Sequence, residues 1–173
     1  MRNTAFLVAG LVLLLIQANL FRVLDYAHVP GLVPSLVLPL ILFMGVHEYS
    51  LARGAAVAFL LGYVSDLVGI APVGLYTFTY VALFLLARAA GVRLAAQTVM
   101  MQIALALAFT LVHSVMILVL LAIFGRDAYV PRALYTMVLP HVLATGAVAP
   151  LVFRLAQRLH TATVFSSRAR EAD

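Results

Sequence analysis

The chain has 173 residues, 65% of them hydrophobic and only 10% charged, with a mean hydropathy of +1.13. A soluble domain carries roughly a quarter charged residues, so this composition excludes a conventional soluble enzyme or binding domain and points to an integral membrane protein. The formal charge of +5 is carried by 11 arginines and no lysine, placed singly at the ends of apolar runs as membrane anchors are, and the lack of cysteine excludes disulfides and thiolate metal sites.

The first apolar run lies in "MRNTAFLVAGLVLLLIQANLF". Its basic start resembles a signal peptide, but its apolar core is too long for a typical h-region, so it reads as an uncleaved first span, Thr4–Leu24. The second run, Pro34–Val46, is the shortest. Pro34 sits at its expected first turn, where a missing N–H costs nothing, and Pro39 is expected to kink or break it. The third, fourth and fifth runs are Leu51–Val68, Gly74–Ala90 and Gln97–Phe124. The sixth, Leu134–Leu159, contains Pro140 and Pro150, which are expected to kink or break it in the same way. A spanning helix needs about 20 mostly apolar residues, and prolines are tolerated in lipid where neighbouring helices satisfy the freed carbonyls.

The expected fold class is therefore all-α: a compact bundle of six transmembrane helices forming one domain over residues 1–165, followed by a short polar, disordered tail at 166–173. With the N-terminus inside, Arg2, Arg53, Arg88, Arg93, Arg154, Arg158, Arg168 and Arg170 fall on the cytoplasmic side. Arg22, Arg126 and Arg132 fall outside. The positive-inside rule then places both termini in the cytoplasm. The longest loops, Asp25–Gly31 and Gly125–Ala133, face outward in this arrangement, and no internal repeat is visible.

Between the third and fourth runs stands "GYVSDLVGIAPVGLYTFTY", with one aspartate among glycines and a proline. Asp66 falls near the end of the third span, the unfavourable end of that helix dipole for a carboxylate. Three readings are open. Asp66 reaches headgroup water and bonds backbone N–H groups of the following turn, or it pairs with Arg22, Arg126 or Arg132, or it serves as a proton or cation site. The architectural reading is favoured. Gly69 and Gly74 permit backbone angles that other residues resist, and Pro72 stops the helix, so Gly62, Asp66, Gly69, Pro72 and Gly74 together read as a tight helical hairpin.

In the fifth span Gln102, Ala106, Phe109 and His113 share one helix face, with Thr110 and Ser114 on its flank. They form a polar seam that faces either a cavity or other helices, and inter-helix hydrogen bonding is favoured. His141 and Thr145 repeat the pattern in the sixth span, so His113 and His141 are placed to meet across helices; two histidines make a poor metal site. Small residues at helical spacing, Ala5 and Ala9 and then Gly54, Ala55, Ala56 and Ala58, permit close backbone approach. Metalloprotease, nucleophile-elbow and P-loop motifs are all missing, and adjacent His113 and Ser114 point about 100° apart, so no enzyme and no cofactor are expected.

Arg53-Gly54, Gly62-x-x-x-Asp66 and Pro72-Val73-Gly74-Leu75, within Arg53–Phe78, resemble the core of the rod shape-determining protein MreD family, and the proline-led stretch Val29–Gly54 is similar to that family's second span. The specific likeness covers about fifty residues, while length and span count fit over the whole chain. It implies a non-enzymatic inner-membrane subunit of the machinery that elongates rod-shaped bacteria. Its expected partners are MreC, MreB, and the SEDS glycosyltransferase with its penicillin-binding transpeptidase, within the lipid bilayer. Gly62, Asp66, Pro72 and Gly74 would be its hairpin signature. A second resemblance, to the substrate-binding S components of energy-coupling-factor vitamin transporters, rests on six spans and on Ala5-Phe6-Leu7-Val8-Ala9 as an Ala-x-x-x-Ala docking motif. It implies a ligand pocket near Tyr26–Gly31 and the later polar residues, in a chain with no tryptophan to stack on a vitamin ring.

Overall fold

The computed structural model describes residues 2–26, 33–47, 50–69, 72–90, 98–124 and 132–171. Most of the Asp25–Gly31 and Gly125–Ala133 loops, including Arg126, lies outside the described residues, as do Arg93 and Gln97. The chain is all-helical, with α1 at Arg2–Tyr26, α2 at Val37–Val46, α3 at Leu51–Val68, α4 at Leu75–Ala89, α5 at Val99–Phe124 and α6 at Arg132–Glu171. Each helix grows from one apolar run.

Three helical segments are long and apolar enough to cross a membrane: Leu51–Val68, Val99–Phe124 and Met137–Ala162. The apolar stretches Thr4–Leu20, Val37–Val46 and Leu75–Ala89 are shorter. Their outward side chains are apolar as well: Val8, Val12 and Leu15 on α1, Val115, Val119 and Ile123 on α5, and Leu143 and Leu151 on α6 are exposed. An apolar surface of that extent belongs against lipid or protein rather than water.

The shortest helix is the centre of the molecule. All 10 residues of α2 are buried, and it packs against each of the other five helices. At 1.5 Å per residue, α2 is about 15 Å long, half of a hydrocarbon core about 30 Å thick. Surrounded by helices, it meets no lipid that it would have to span. Phe43 of α2 lies 6.1 Å from both the Phe6 and the Phe153 ring centroids, tying α1 and α6 to this centre.

Several expectations about helix ends are corrected. α2 begins at Val37, so Pro39 lies in its first turn, where its missing N–H is one the helix leaves unpaired anyway, and no break follows. α6 is one helix through Pro140 and Pro150 and on to Glu171, so neither proline ends it and the segment expected as a disordered tail is helical to that residue. Extending an existing helix avoids the cost of nucleation, and Ala162–Glu171 contains no glycine or proline to stop it. Gly69 needs no special conformation: its φ of −82° and ψ of 174° are ordinary extended backbone.

Candidate functional site: a polar end of the bundle

The C-terminal end of α3, the N-termini of α2, α4 and α6, and the C-terminal half of α5 gather at one end of the bundle, and most of the buried polar side chains gather with them. A helix N-terminus presents N–H groups with no intrahelical partner, and two such termini here lack a side-chain cap of their own. The N-cap of α4 is Gly74 and that of α2 is Leu36, neither with a capping side chain. Both are capped from a different helix.

For α4 the cap is Asp66. Its Oδ2 accepts from the N–H of Gly74 at 2.9 Å, the N–H of Thr77 at 3.0 Å and the hydroxyl of Thr77 at 2.6 Å. Its Oδ1 accepts from the N–H of Tyr76 at 2.8 Å. Tyr76 and Thr77 are the second and third helical residues, the donors that a local capping aspartate would take. The carboxylate is 2% exposed, and its hydrogen bonds among the described residues all go to this turn. Arg22 is exposed, and no arginine pairs with Asp66 among the described residues. Near the unfavourable end of the α3 dipole, the negative charge lies against the favourable end of α4.

Two glycines make this reach possible. A Cβ on Gly62 would stand 2.5 Å from Thr77 Cα and 2.8 Å from the Tyr76 carbonyl oxygen, so α3 and α4 touch backbone to backbone one turn before Asp66. Gly74 has a φ of +101° with nothing within 4 Å of a Cβ, so its conformation alone calls for glycine. Pro72 is exposed in the turn, and its carbonyl accepts from the Leu75 N–H at 3.2 Å.

For α2 the caps are Gln17 of α1 and Thr145 of α6. Gln17 Oε1 accepts from the Leu36 N–H and Thr145 Oγ1 from the Ser35 N–H, each at 2.9 Å. Thr145 Oγ1 in turn donates to the His141 carbonyl at 2.8 Å. His141 Nδ1 lies 2.6 Å from the Val33 carbonyl oxygen; since a carbonyl only accepts, Nδ1 carries the hydrogen. The histidine therefore pins the segment that leads into α2.

The seam on α5 faces inward. Gln102, Ala106, Phe109, Thr110, His113 and Ser114 are the buried residues of that helix. Thr110 donates back to the Ala106 carbonyl at 2.6 Å, as Thr79 does to Leu75 at 2.7 Å. His113 is 3% exposed, lies 6.1 and 5.7 Å from the Tyr76 and Tyr80 ring centroids, and has an Nδ1 with no hydrogen-bond partner. His113 and His141 do come together, lining one hollow of about 310 Å³ with Gln17, Ser35, Tyr76 and Tyr80. Beyond them and Ser114 its described wall is apolar, from Ile117 and Leu118 of α5 to Met137 and Val138 of α6. No group of three or more metal-ligating side chains stands together among the described residues.

That Asp66 bonds N–H groups of the following turn is expected from the sequence, whereas its burial away from headgroup water, the Thr77 hydroxyl as a donor and the role of Gln17 are not. The available signal is negative: α2 and α4 start without a Ser, Thr, Asp or Asn at the cap, so each must borrow one. Compared with protein-family models, curated proteins and solved structures, the chain matches none.

Proposed function

We propose that this chain is a non-enzymatic, multi-pass subunit of the bacterial inner membrane, with both termini cytoplasmic, that serves the cell-elongation complex. It anchors and positions MreC and couples MreB filaments to the SEDS glycosyltransferase and penicillin-binding transpeptidase. The reading rests on the likeness of Arg53–Phe78 to the MreD family. The observation that carries it is the use of that motif: Asp66 is committed to the first turn of α4, with Gly62 and Gly74 shaping the approach. A motif committed to a joint between helices suits a scaffold better than a reaction. Affinity purification of the tagged chain from its native membranes in mild detergent, with mass spectrometry of what accompanies it, is the test. Recovery of MreC is expected. Recovery of paired ATPases with a transmembrane coupling protein would overturn this reading in favour of an S component, which the hollow beside His113 favours as the second reading.

A further inference from the structure

Among the described residues, the wall of the hollow at the polar end includes no Asp, Glu, Lys or Arg. Burying an unpaired ion against such a lining is costly, so phosphates, carboxylates and ammonium groups are disfavoured. At about 310 Å³ it is within the size range of small-molecule sites, roughly 300–1,000 Å³. Its polar groups are not equivalent. Gln17 and His141 are already bonded to the segment that leads into α2, whereas His113 Nδ1 and Ser35 Oγ are buried without a partner. A buried polar atom left unpaired costs about 1–3 kcal/mol. A hydroxyl group suits His113 in either tautomer, because a hydroxyl both donates and accepts.

A second hollow, of about 430 Å³, lies along α4 and α5. It is walled by Leu75, Phe78, Leu120 and Phe124, and Leu121 lines both. The polar chamber and the apolar groove have that one leucine in common.

We infer that the two hollows together bind an uncharged amphiphile of the monoacylglycerol class, its hydroxyl-bearing head against His113 and its hydrocarbon chain along Phe78 and Phe124. The assignment is independent of the partners of the chain.

The experiment uses the full chain in phosphatidylcholine nanodiscs, titrated with 1-monooleoylglycerol, phosphatidylglycerol or free glycerol. Binding is read from the imidazole nitrogen resonances of the histidines and from native mass spectrometry. Monooleoylglycerol is expected to bind at least about tenfold more tightly than the anionic lipid and to move the His113 resonance. His113→Phe is expected to weaken binding about tenfold, the loss of one buried hydrogen bond. Ile117→Trp, which fills the chamber and gives the chain its one tryptophan, is expected to abolish binding while the helical circular dichroism stays that of the wild type. Equal binding of the anionic lipid, or wild-type affinity in either variant, would overturn the assignment. Binding of free glycerol with exclusion of monooleoylglycerol would overturn it in favour of a soluble ligand.

Discussion

Removing the Asp66 carboxylate strands the N–H groups of Gly74, Tyr76 and Thr77 together with the Thr77 hydroxyl. Asp66→Ala is expected to destabilise the chain by about 3 kcal/mol, the loss of a helix cap plus buried donors left unpaired. Asp66→Asn keeps one acceptor oxygen and costs about half as much. Thr77→Val deletes a single donor and costs about 1 kcal/mol. Thermal melts in detergent, followed by helical circular dichroism, should rank wild type, Thr77→Val, Asp66→Asn and Asp66→Ala in falling order. An Asp66→Ala melt equal to wild type would show that the cap contributes nothing. The two glycines separate a steric requirement from a conformational one. Gly62→Ala drives a Cβ into the backbone of Thr77, for which no side chain can move aside, and is expected to cost about 3 kcal/mol. Gly74→Ala meets open space and costs about 1 kcal/mol, the penalty of positive φ. The same melts check both, and a Gly74→Ala loss exceeding that of Gly62→Ala would invert the argument.

At the scale of elements, the borrowed cap of α2 is testable residue by residue. Thr145→Val leaves the Ser35 N–H unpaired and Gln17→Leu does the same for Leu36. Amide hydrogen exchange at each is expected to quicken about tenfold in its own variant, corresponding to about 1.4 kcal/mol, with little change in the middle of α5. This scale also shows what a sequence can and cannot disclose. The third run was legible to the residue, because Leu51 and Val68 mark where apolar character begins and ends. The far end of α6 was not, because Ser166–Glu171 is polar and helical propagation leaves no mark in hydropathy. The central place of α2 was hidden for a related reason: an apolar side chain reads alike whether lipid or protein surrounds it. That the α5 seam is polar on one face was evident from spacing, and that this face is buried follows only from packing. Of the site, Asp66 and His113 stood out as polar residues in apolar runs. The pairings that hold the start of α2 did not, since Gln17 reaches Leu36 across 19 positions and Thr145 reaches Ser35 across 110.

At the scale of the whole molecule, α6 is 40 residues, or about 60 Å, long, twice the thickness of a hydrocarbon core. Its apolar segment closes at Ala162, so its last turns, with Arg168 and Arg170, extend past that segment. On the proposed orientation, Arg168→Cys should react with a membrane-impermeant maleimide only after cells are opened, and Arg126→Cys in intact cells. The native chain has no cysteine to interfere. The opposite labelling pattern would reverse the orientation. The borrowed caps also bear on how the chain is made. Asp66 belongs to α3, whereas its hydrogen-bond donors among the described residues belong to α4 and its N-cap, which are synthesised afterwards. Released alone into a bilayer, α3 would carry a bare carboxylate, at a cost of several kcal/mol at depth. In a bilayer that cost would favour insertion of α3 together with α4, as a pair, over release of α3 alone.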